Sequence, residues 1–264
     1  MRIVSWNIRA GGGKRAAEIA GQLARWEPDL VCLSEFRCTE GSTSIAAALV
    51  DMGLACQYAS VNRRVPAENC LLVASRRPLR RIGLGRAPLE PRRWLLLKVD
   101  GADLTVGAMH IPNFVPTRER KWAFMEAVVA TARKWRGGPA LFVGDTNLGR
   151  PVVDEENAVF SPHDNAWFDA LERAGWRDAF RYLHGERREY TWYSPNGRNG
   201  FRLDEAFVNR RLLPRLESLR HEWGQPEGGN KNREALSDHA ALVVEVGESG
   251  FMDLNARPKS EPPL

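Results

Sequence analysis

Short runs of apolar residues recur along the chain and predict its β-strands. Residues 2–8 alternate between apolar and polar side chains, and residues 29–35 are almost continuously apolar. The strands predicted at 92–99 and 103–110 are joined by Asp100-Gly101, a pair that favours a hairpin turn. Further strands are predicted at 69–75, 140–144, 190–194, 201–208 and 239–246.

Four stretches between these strands have helical spacing. The clearest is 117–135, in which Trp122, Met125, Val128, Val129 and Ala132 fall on one face. Other helices are predicted at 14–26, 43–52 and 164–174. Strand pairs with helices between them predict an α/β fold in which two packed β-sheets are flanked by helices.

The organisation along the chain predicts one domain over 1–246, because no repeat or interdomain linker interrupts the pattern. The composition of "ARPKSEPPL" predicts a flexible tail over 247–264. No run of about 18 apolar residues predicts a transmembrane helix, and the N-terminal residues lack the apolar region of a signal peptide. We therefore expect a cytoplasmic monomer that does not associate with a membrane.

Composition adds a weak indication of the partner. The net charge is +5 and the pI is about 9.2, which suits a polyanion such as DNA. Most of the 38 basic residues are arginines, however, and genome composition alone can produce that bias. Cys32 and Cys70 lie in apolar runs and are expected to be buried free thiols, since no C-x-x-C pair is present.

Polar residues with catalytic potential lie at the ends of six predicted strands. Any one of them has a structural explanation, because Asn and Asp favour turns and a histidine can be a bonded core residue. Six together favour one shared cleft, since isolated acids are costly to bury. The residues are Asn7, Glu35, His110, Asp145 with Asn147, Asp204, and Asp238 with His239.

The chemistry of this set points to phosphoryl transfer. Carboxylate and amide oxygens bind hard cations such as Mg²⁺, and histidine can act as acid or base near neutral pH. A metal that neutralises phosphate charge together with a positioned water is what phosphate-ester hydrolysis needs. The chain lacks the H-E-x-x-H motif of zinc proteases and the G-x-x-x-x-G-K-[ST] nucleotide loop.

Five segments then carry a family resemblance. "VSWNI", "PDLVCLSE", "GDTN", "RLDEAF" and "LSDHAAL" occur in this order. As a set they resemble the endonuclease/exonuclease/phosphatase superfamily, which includes exonuclease III, abasic-site endonucleases and the pancreatic deoxyribonuclease. The resemblance covers roughly 1–246 and implies a four-layered α/β sandwich, with two mixed β-sheets, that cleaves phosphate esters with a metal.

The resemblance also implies the metal site. Glu35 matches the principal metal ligand of the superfamily, and Asn7 and Asp238 match groups that complete or support the site. The expected cofactor is Mg²⁺, with Mn²⁺ as a substitute.

The catalytic roles follow from the same resemblance. His239 matches the histidine that acts as general base or stabilises the phosphate, and Asp204 orients it. Asp145 and Asn147 match the pair that positions the water and contacts phosphate, and their spacing predicts that both point into one cleft as alternate strand residues. His110 stands where the abasic enzymes have a tyrosine, and it is a candidate proton donor to the leaving oxygen.

Four further residues are candidate substrate contacts. Asn113 follows His110 in "MHIPN", and Arg93 lies in "LEPRRW", which loosely matches an arginine-bearing segment of the abasic enzymes. Arg37 in "SEFR" fits a phosphate contact or a surface ion pair equally well. Trp192 could stack on a base or sugar, although packing under the site is the more common role for a strand aromatic.

The sequence thus predicts a Mg²⁺- or Mn²⁺-dependent phosphodiesterase that acts on DNA, as an exonuclease III-like 3′–5′ exonuclease, an endonuclease or both. One alternative is a small-molecule or phospholipid phosphoesterase of the same superfamily, which salt dependence would distinguish. A second is a non-catalytic nucleic-acid-binding module, and the intact acids and histidines argue against it.

Overall fold

A computed structural model describes residues 1–83, 87–114, 117–196, 198–224 and 235–247. Apart from Gly247, the predicted tail over 247–264 lies outside the described residues. The strands within these ranges are β1 (Arg2–Asn7), β2 (Leu30–Phe36), β3 (Cys56–Ala59), β4 (Cys70–Ser75), β5 (Leu79–Arg81), β6 (Trp94–Val99), β7 (Leu104–His110), β8 (Ala140–Asp145), β9 (Trp176–Asp178), β10 (Trp192–Tyr193), β11 (Gly200–Phe201), β12 (Asp204–Asn209), β13 (Leu216–Glu222) and β14 (Ala241–Val246). The α-helices are α1 (Ala16–Trp26), α2 (Glu40–Asp51), α3 (Arg118–Lys134), α4 (Pro162–Arg173) and α5 (Ala179–His184).

Two six-stranded sheets form the centre of the molecule. The first has the order β13-β14-β1-β2-β4-β3 and the second β5-β6-β7-β8-β12-β9, while β10 and β11 form a separate ribbon. β1 pairs with β2, and β7 with β8, in parallel, whereas the neighbouring pairs are antiparallel. Both sheets are therefore mixed, as predicted.

Three apolar clusters hold the layers together. One lies between the sheets and contains residues of both, such as Ile3 from β1 and Val143 from β8. A second packs α1 and α2 on the first sheet, and a third packs α3 and α4 on the second sheet. The order helix, sheet, sheet, helix is the predicted four-layered sandwich, which is confirmed.

The helices begin and end where local chemistry allows. α1 buries Ile19, Leu23 and Trp26 as predicted and is followed by Glu27 in the left-handed conformation, a common helix end. α4 starts with a capping box. The Ser161 hydroxyl accepts a hydrogen bond from the main-chain N–H of Asp164, and the Asp164 carboxylate accepts one from the main-chain N–H of Ser161.

Several element predictions need correction. The strand predicted over 201–208 is two strands, β11 and β12, interrupted at Arg202 and Leu203, and that predicted over 190–194 shrinks to Trp192–Tyr193. β3, β5, β9, β13 and α5 were not predicted. The four cysteines are free thiols, with Cys32 and Cys70 buried as expected. No helix among the residues described is both long and apolar enough to cross a membrane.

Candidate active site

The ends of three strands meet at Asp145. His110 at the end of β7 pairs in register with Asp145 at the end of β8, and Asp145 pairs in turn with Asp204 at the start of β12. The first sheet reaches the same point, because Asn7 Nδ2 donates to Asp145 Oδ2 at 2.9 Å. The predicted convergence of strand ends is therefore present in the fold.

A cavity of about 240 Å³ opens over these residues. A groove of about 500 Å³ between α3 and α4 is larger, but its lining holds one acid, Glu126, and one imidazole, His163, against the several acids and two imidazoles of the first cavity. Of the predicted site residues, Asn7 and Asp204 lie behind the cavity and bond its lining residues, whereas Arg37 does not line it. The lining residues are Glu35, Asn69, Arg93, His110, Asn113, Asp145, Asn147, Trp192, Leu203, Asp238 and His239.

A β-bulge places Glu35 at the cavity. The register between β2 and β4 shifts between Ser34 and Phe36, and Glu35 has a φ of 55°, which is uncommon for a residue other than glycine. A bulge lets one side chain leave the regular alternation of the strand. Backbone strain of this kind often marks a functional position, and here it turns a carboxylate out of the core.

The glycine-rich loop after β1 packs against this carboxylate. The main-chain N–H of Ala10 donates to Glu35 Oε2 at 2.7 Å, and that of Gly11 donates to the Glu35 carbonyl oxygen at 2.8 Å. Gly11 has a φ of 74°, and a Cβ there would lie 2.8 Å from Ser42 Oγ. The glycine thus lets the loop approach β2 and α2 closely enough to hold Glu35.

The oxygen atoms near Glu35 fit a hard cation. Asp238 also lines the cavity, and the Nε atom of Arg9 lies 4.0 Å from its Oδ1. Asn7 Oδ1 accepts from the main-chain N–H of Arg9 and keeps a second lone pair. Two carboxylates and one amide oxygen form a donor set that Mg²⁺ or Mn²⁺ accepts.

His239 and Asp204 form a buried hydrogen-bonded pair. His239 Nδ1 lies 2.8 Å from Asp204 Oδ2, and His239 Nε2 lies 3.9 Å from Asp145 Oδ2. The carbonyl oxygen of His239 accepts from Trp6 Nε1, which fixes the backbone. Burial alone would lower the pKa of His239, but the carboxylates of Asp204 and Asp145 outweigh it and raise that pKa to about 10. The imidazole is therefore cationic at neutral pH.

The pKa of Asp145 is also raised, but the cause is burial rather than neighbouring charge. Burial raises the pKa of its carboxyl to about 6, against the cationic His239, which lowers it. Oδ1 accepts from the main-chain N–H of Asn147 and Oδ2 from Asn7. Above pH 6 the group is thus an ionised, oriented carboxylate with raised basicity, as a general base requires.

Asp145, Asp204 and His239 also come close enough together to form a possible metal-binding group. Their ligand atoms lie within 4.8 Å of one another. A protonated imidazole has no free lone pair for a cation, however, and Nδ1 of His239 is committed to Asp204. The group is therefore suited to proton transfer and charge stabilisation.

His110 is a neutral imidazole in this arrangement. Burial lowers the pKa of His110 well below its usual value, and the guanidinium of Arg93 lowers it further. Arg93 Nη1 lies 3.2 Å from each ring nitrogen, and His110 Nε2 lies 3.7 Å from Asp145 Oδ2. As a neutral imidazole it keeps one N–H to donate, and its role as proton donor to the leaving oxygen stays a prediction.

Asn147 lines the cavity beside Asp145, but the predicted reason is wrong. β8 ends at Asp145, and Asn147 lies beyond it with a φ of 49°, so strand alternation does not aim its side chain. Its orientation comes instead from Nδ2, which donates to the Ile111 carbonyl oxygen at 2.9 Å. The second hydrogen of that amide is left for a ligand.

The substrate-contact candidates separate into two groups. Arg93, Asn113 and Trp192 line the cavity, and Trp192 Nε1 approaches Asp238 Oδ2 at 3.4 Å. Arg37 is held behind it, because its Nε donates at 2.6 Å to Asn69 Oδ1. It therefore supports a lining residue rather than facing the cavity.

Residues that sequence reasoning missed lie in and beneath the site. Asn69 and Leu203 line the cavity, and no pattern in the sequence marks them. Arg202 is fully buried below it, where it donates to Asp154 and Asp178 at 2.6 Å each. The three charged residues of "RLDE" (202–205), set in an otherwise apolar run, were the available signal of a buried ion cluster.

This fold and site define a class of protein: two-sheet sandwiches that carry carboxylates and a histidine–aspartate pair at their strand ends. A sequence model described as the Endonuclease/Exonuclease/phosphatase family matches residues 4–239. The chain belongs to that family.

Individual relatives support this placement. "DNA repair nuclease APEX1" of Danio rerio is 25% identical over 243 residues, covering 82% of this chain and 75% of the relative. An "Exodeoxyribonuclease" of Streptococcus pneumoniae is 25% identical over 122 residues, 41% of this chain and 41% of the relative. The match to that second relative thus spans less than half of its length.

Solved structures share the fold. A 3′-5′ exonuclease (NExo) from Neisseria meningitidis gives a TM-score of 0.75 at 24% identity, covering 94% of this chain and 100% of the other. The 3′ phosphatase NExo from Neisseria bound to product DNA hairpin gives 0.76 at 23% identity, covering 93% and 99%. An AP endonuclease from Archaeoglobus fulgidus gives a TM-score of 0.77 at 19% identity, covering 93% of this chain and 99% of the other.

Proposed function

We propose that this protein is a metal-dependent DNA nuclease that hydrolyses phosphodiester bonds as a 3′–5′ exonuclease, an endonuclease or both. One observation carries the proposal: a single cavity brings together the oxygens of Glu35 and Asp238, the carboxylate of Asp145 and the paired imidazole of His239. Phosphate-ester hydrolysis needs a charge-neutralising site, a base and a cationic donor, and this set supplies all three.

Glu35, Asp238 and the amide oxygen of Asn7 would hold the metal, with Mg²⁺ as the natural ion and Mn²⁺ as its substitute. When bound, the ion neutralises charge on the phosphate and polarises its ester. Asn7 also donates to Asp145, so it connects the metal side of the cavity to the proton-transfer side.

Asp145 would accept the proton of the attacking water. Its carboxylate is oriented by Asn7 and by the main-chain N–H of Asn147, and burial raises its pKa to about 6. A base with this pKa is ionised at neutral pH while remaining a useful proton acceptor.

His239 would stabilise the negative charge that develops on the phosphate. It is cationic at neutral pH, and Asp204 fixes its ring through Nδ1, which leaves Nε2 as a donor toward the cavity. Of the two roles open to this histidine, phosphate stabilisation is thus better supported than general base. His110 and the spare amide hydrogen of Asn147 would donate to other phosphate or leaving-group oxygens.

The choice of DNA rests on three supports. Two of the relatives named above are a DNA repair nuclease and an exodeoxyribonuclease. The chain carries a net charge of +5, and Trp192 offers an aromatic face at the cavity on which a base or sugar could stack. We also propose that the chain forms one domain over 1–246 and acts as a monomer in the cytoplasm. Light scattering would test the monomeric state.

A substrate panel tests the proposal. End-labelled duplex DNA, single-stranded DNA, abasic duplex, a 3′-phosphorylated primer, RNA and bis-p-nitrophenyl phosphate are each digested with Mg²⁺, with Mn²⁺ and with EDTA. We expect metal-dependent shortening or nicking of DNA, abolished in Asp145→Asn. Faster turnover of the small diester than of every nucleic acid would favour the small-ester alternative. Binding of DNA without cleavage of any substrate would favour the non-catalytic module.

A further inference from the structure

Helix α3 carries a lysine on its buried face. Lys121 is only 1% exposed and lies one turn before Phe124 and Met125, which pack into the core beneath the second sheet. Lysine is rarely buried to this degree unless its ammonium has partners, because the desolvated charge is costly. The proposed mechanism gives this cation no role.

The ammonium has two specific neighbours. Lys121 Nζ donates to the main-chain carbonyl oxygen of Asn147, and it lies 4.1 Å from the centre of the Phe114 ring. Phe114 follows β7 and Asn147 follows β8, so the two neighbours belong to the two loops that border the cavity. Lys121 therefore links both loops to the rigid helix behind them.

Asn147 needs such an anchor. Its φ of 49° lies in the left-handed region, where the chain is held by surrounding contacts rather than by its own preference. The N–H donates to Asp145 Oδ1 and the side chain donates to the Ile111 carbonyl oxygen. The bond from Lys121 is the third attachment, and it fixes the plane of the peptide that follows.

The surrounding charge keeps the lysine in place. Burial lowers the pKa of Lys121 to about 8, while the carboxylates of Asp164, Asp145 and Glu205 act in the opposite direction. The ammonium is therefore held in a pocket whose nearby carboxylates favour a cation.

We propose that Lys121 is a positioning residue for catalysis: by holding the backbone of Asn147, it aims that side chain at the substrate phosphate. The inference rests on the proposed function, since it assigns Asn147 a phosphate contact. Lys121 itself does not line the cavity and acts only through Asn147.

A double-mutant cycle tests this role. Lys121→Met removes the ammonium and keeps most of the apolar stem, and we expect it to lower kcat by about 10- to 100-fold with little change in KM, as a displaced catalytic group does. In an Asn147→Ala background, Lys121→Met should lower kcat almost no further, because the side chain that Lys121 positions is already absent. Lys121→Arg should recover part of the lost kcat.

Two controls on α3 separate positioning from stability. Lys134→Met removes an exposed lysine, and Val128→Ala weakens the same core. Neither should change kcat, although Val128→Ala should lower the unfolding temperature. Independent losses for Lys121→Met and Asn147→Ala, or an equal fall in kcat for Val128→Ala, would overturn the proposal.

A second measurement does not depend on activity. Amide hydrogen exchange should accelerate around Phe114 and Asn147 in Lys121→Met, while β1 and β14 stay unchanged. Unchanged exchange in both loops would also overturn the proposal. If the wild-type protein cleaves no phosphodiester, the proposed function fails, and this experiment still decides whether Lys121 holds the loops.

Discussion

At the scale of single residues, Glu35 shows how a backbone irregularity serves chemistry. Its left-handed φ and the bulge in β2 accompany a carboxylate that lines the same cavity as Asp238. In a regular strand, the side chains of Ser34, Glu35 and Phe36 would point to alternate faces of the sheet, and no bulge would shift Glu35. The strain is understandable if the carboxylate binds a cation.

We predict that Glu35→Gln weakens Mg²⁺ binding by at least about 10-fold, because an amide offers one neutral oxygen where the carboxylate offered two charged ones. Isothermal calorimetry on the folded variant measures this directly. Glu18→Gln, at an exposed position of α1, is the matched control and should bind Mg²⁺ as the wild type does. Wild-type affinity in Glu35→Gln would place the metal elsewhere.

His239 makes a prediction about stability and pH in the metal-free protein. Its folded pKa of about 10 lies above its ordinary value of 6.5. The stabilisation from its ion pair with Asp204 is therefore complete below about pH 6.5 and is lost as the pH rises through about 10. In EDTA, we expect the unfolding free energy of the wild type to fall more between about pH 7 and pH 9.5 than that of His239→Gln.

Denaturant titrations at several pH values measure this difference. The two stability curves should converge toward alkaline pH, because the wild type loses there the cation that the variant never has. His163→Gln, at an exposed histidine of α4, should run parallel to the wild type. Parallel curves for His239→Gln would mean that the imidazole is not held as a cation.

At the scale of the elements, the pairing of β7 with β8 sets the distance between His110 and Asp145. Gly144 precedes Asp145 with a φ of 148°, and a Cβ on it would lie 1.8 Å from the Met109 carbonyl oxygen. No side chain can occupy that space without moving the backbone of one strand. The glycine is thus required for the two strands to end together.

We predict that Gly144→Ala destabilises the protein by about 3 kcal/mol or more, because backbone cannot yield as a flexible side chain can. Thermal unfolding measures the loss, and any folded fraction should have lower kcat since His110 and Asp145 are forced apart. Gly83→Ala, where no atom lies within 4 Å of the added Cβ, is the control. An unchanged unfolding temperature in Gly144→Ala would contradict this account of the pairing.

The elements that could be predicted from sequence are those with a full apolar face. β1, β2, β7, β8 and the helices α1 and α3 have one, and their predicted bounds agree with the structure to within a few residues. β3 and β13 escaped prediction because few of their residues are fully buried, and β5 and β9 because each has only three residues. A strand at a sheet edge needs no continuous apolar run.

The same distinction applies to the site. Asp145 and Glu35 could be found because a lone acid beside an apolar run is unusual. Lys121 could not be found in this way, because a helix face tolerates a lysine in sequence wherever its charge can reach solvent, and only the fold shows that this one is enclosed. The conformation of Asn147 likewise depends on contacts with Ile111, which lies on another loop.

At the scale of the whole molecule, each sheet supplies one half of the site. Asn7, Glu35 and Asp238 come from the first sheet and its adjoining loop, whereas His110 and Asp145 come from the second. His239 crosses between the halves, because it precedes β14 in the first sheet and bonds Asp204 in the second. The apolar cluster between the sheets therefore sets the relation of the metal ligands to the proton-transfer groups.

The molecule's charge leads to the last prediction, which concerns how much of a substrate it grips. The logarithm of the binding constant for duplex DNA falls with the logarithm of the salt concentration by about 0.9 for each phosphate contact, so a protein that neutralises about 4 phosphates should show a slope near −3.6. An enzyme for a small ester contacts one phosphate and should show a slope of about one or less in magnitude. We expect the steep slope in the apparent KM for a short duplex measured against KCl. Mg²⁺ stays fixed, because it competes for the same phosphates. A shallow slope together with faster turnover of a small diester would remove DNA as the substrate, and it would leave intact the metal and proton-transfer chemistry assigned to Glu35, Asp145 and His239.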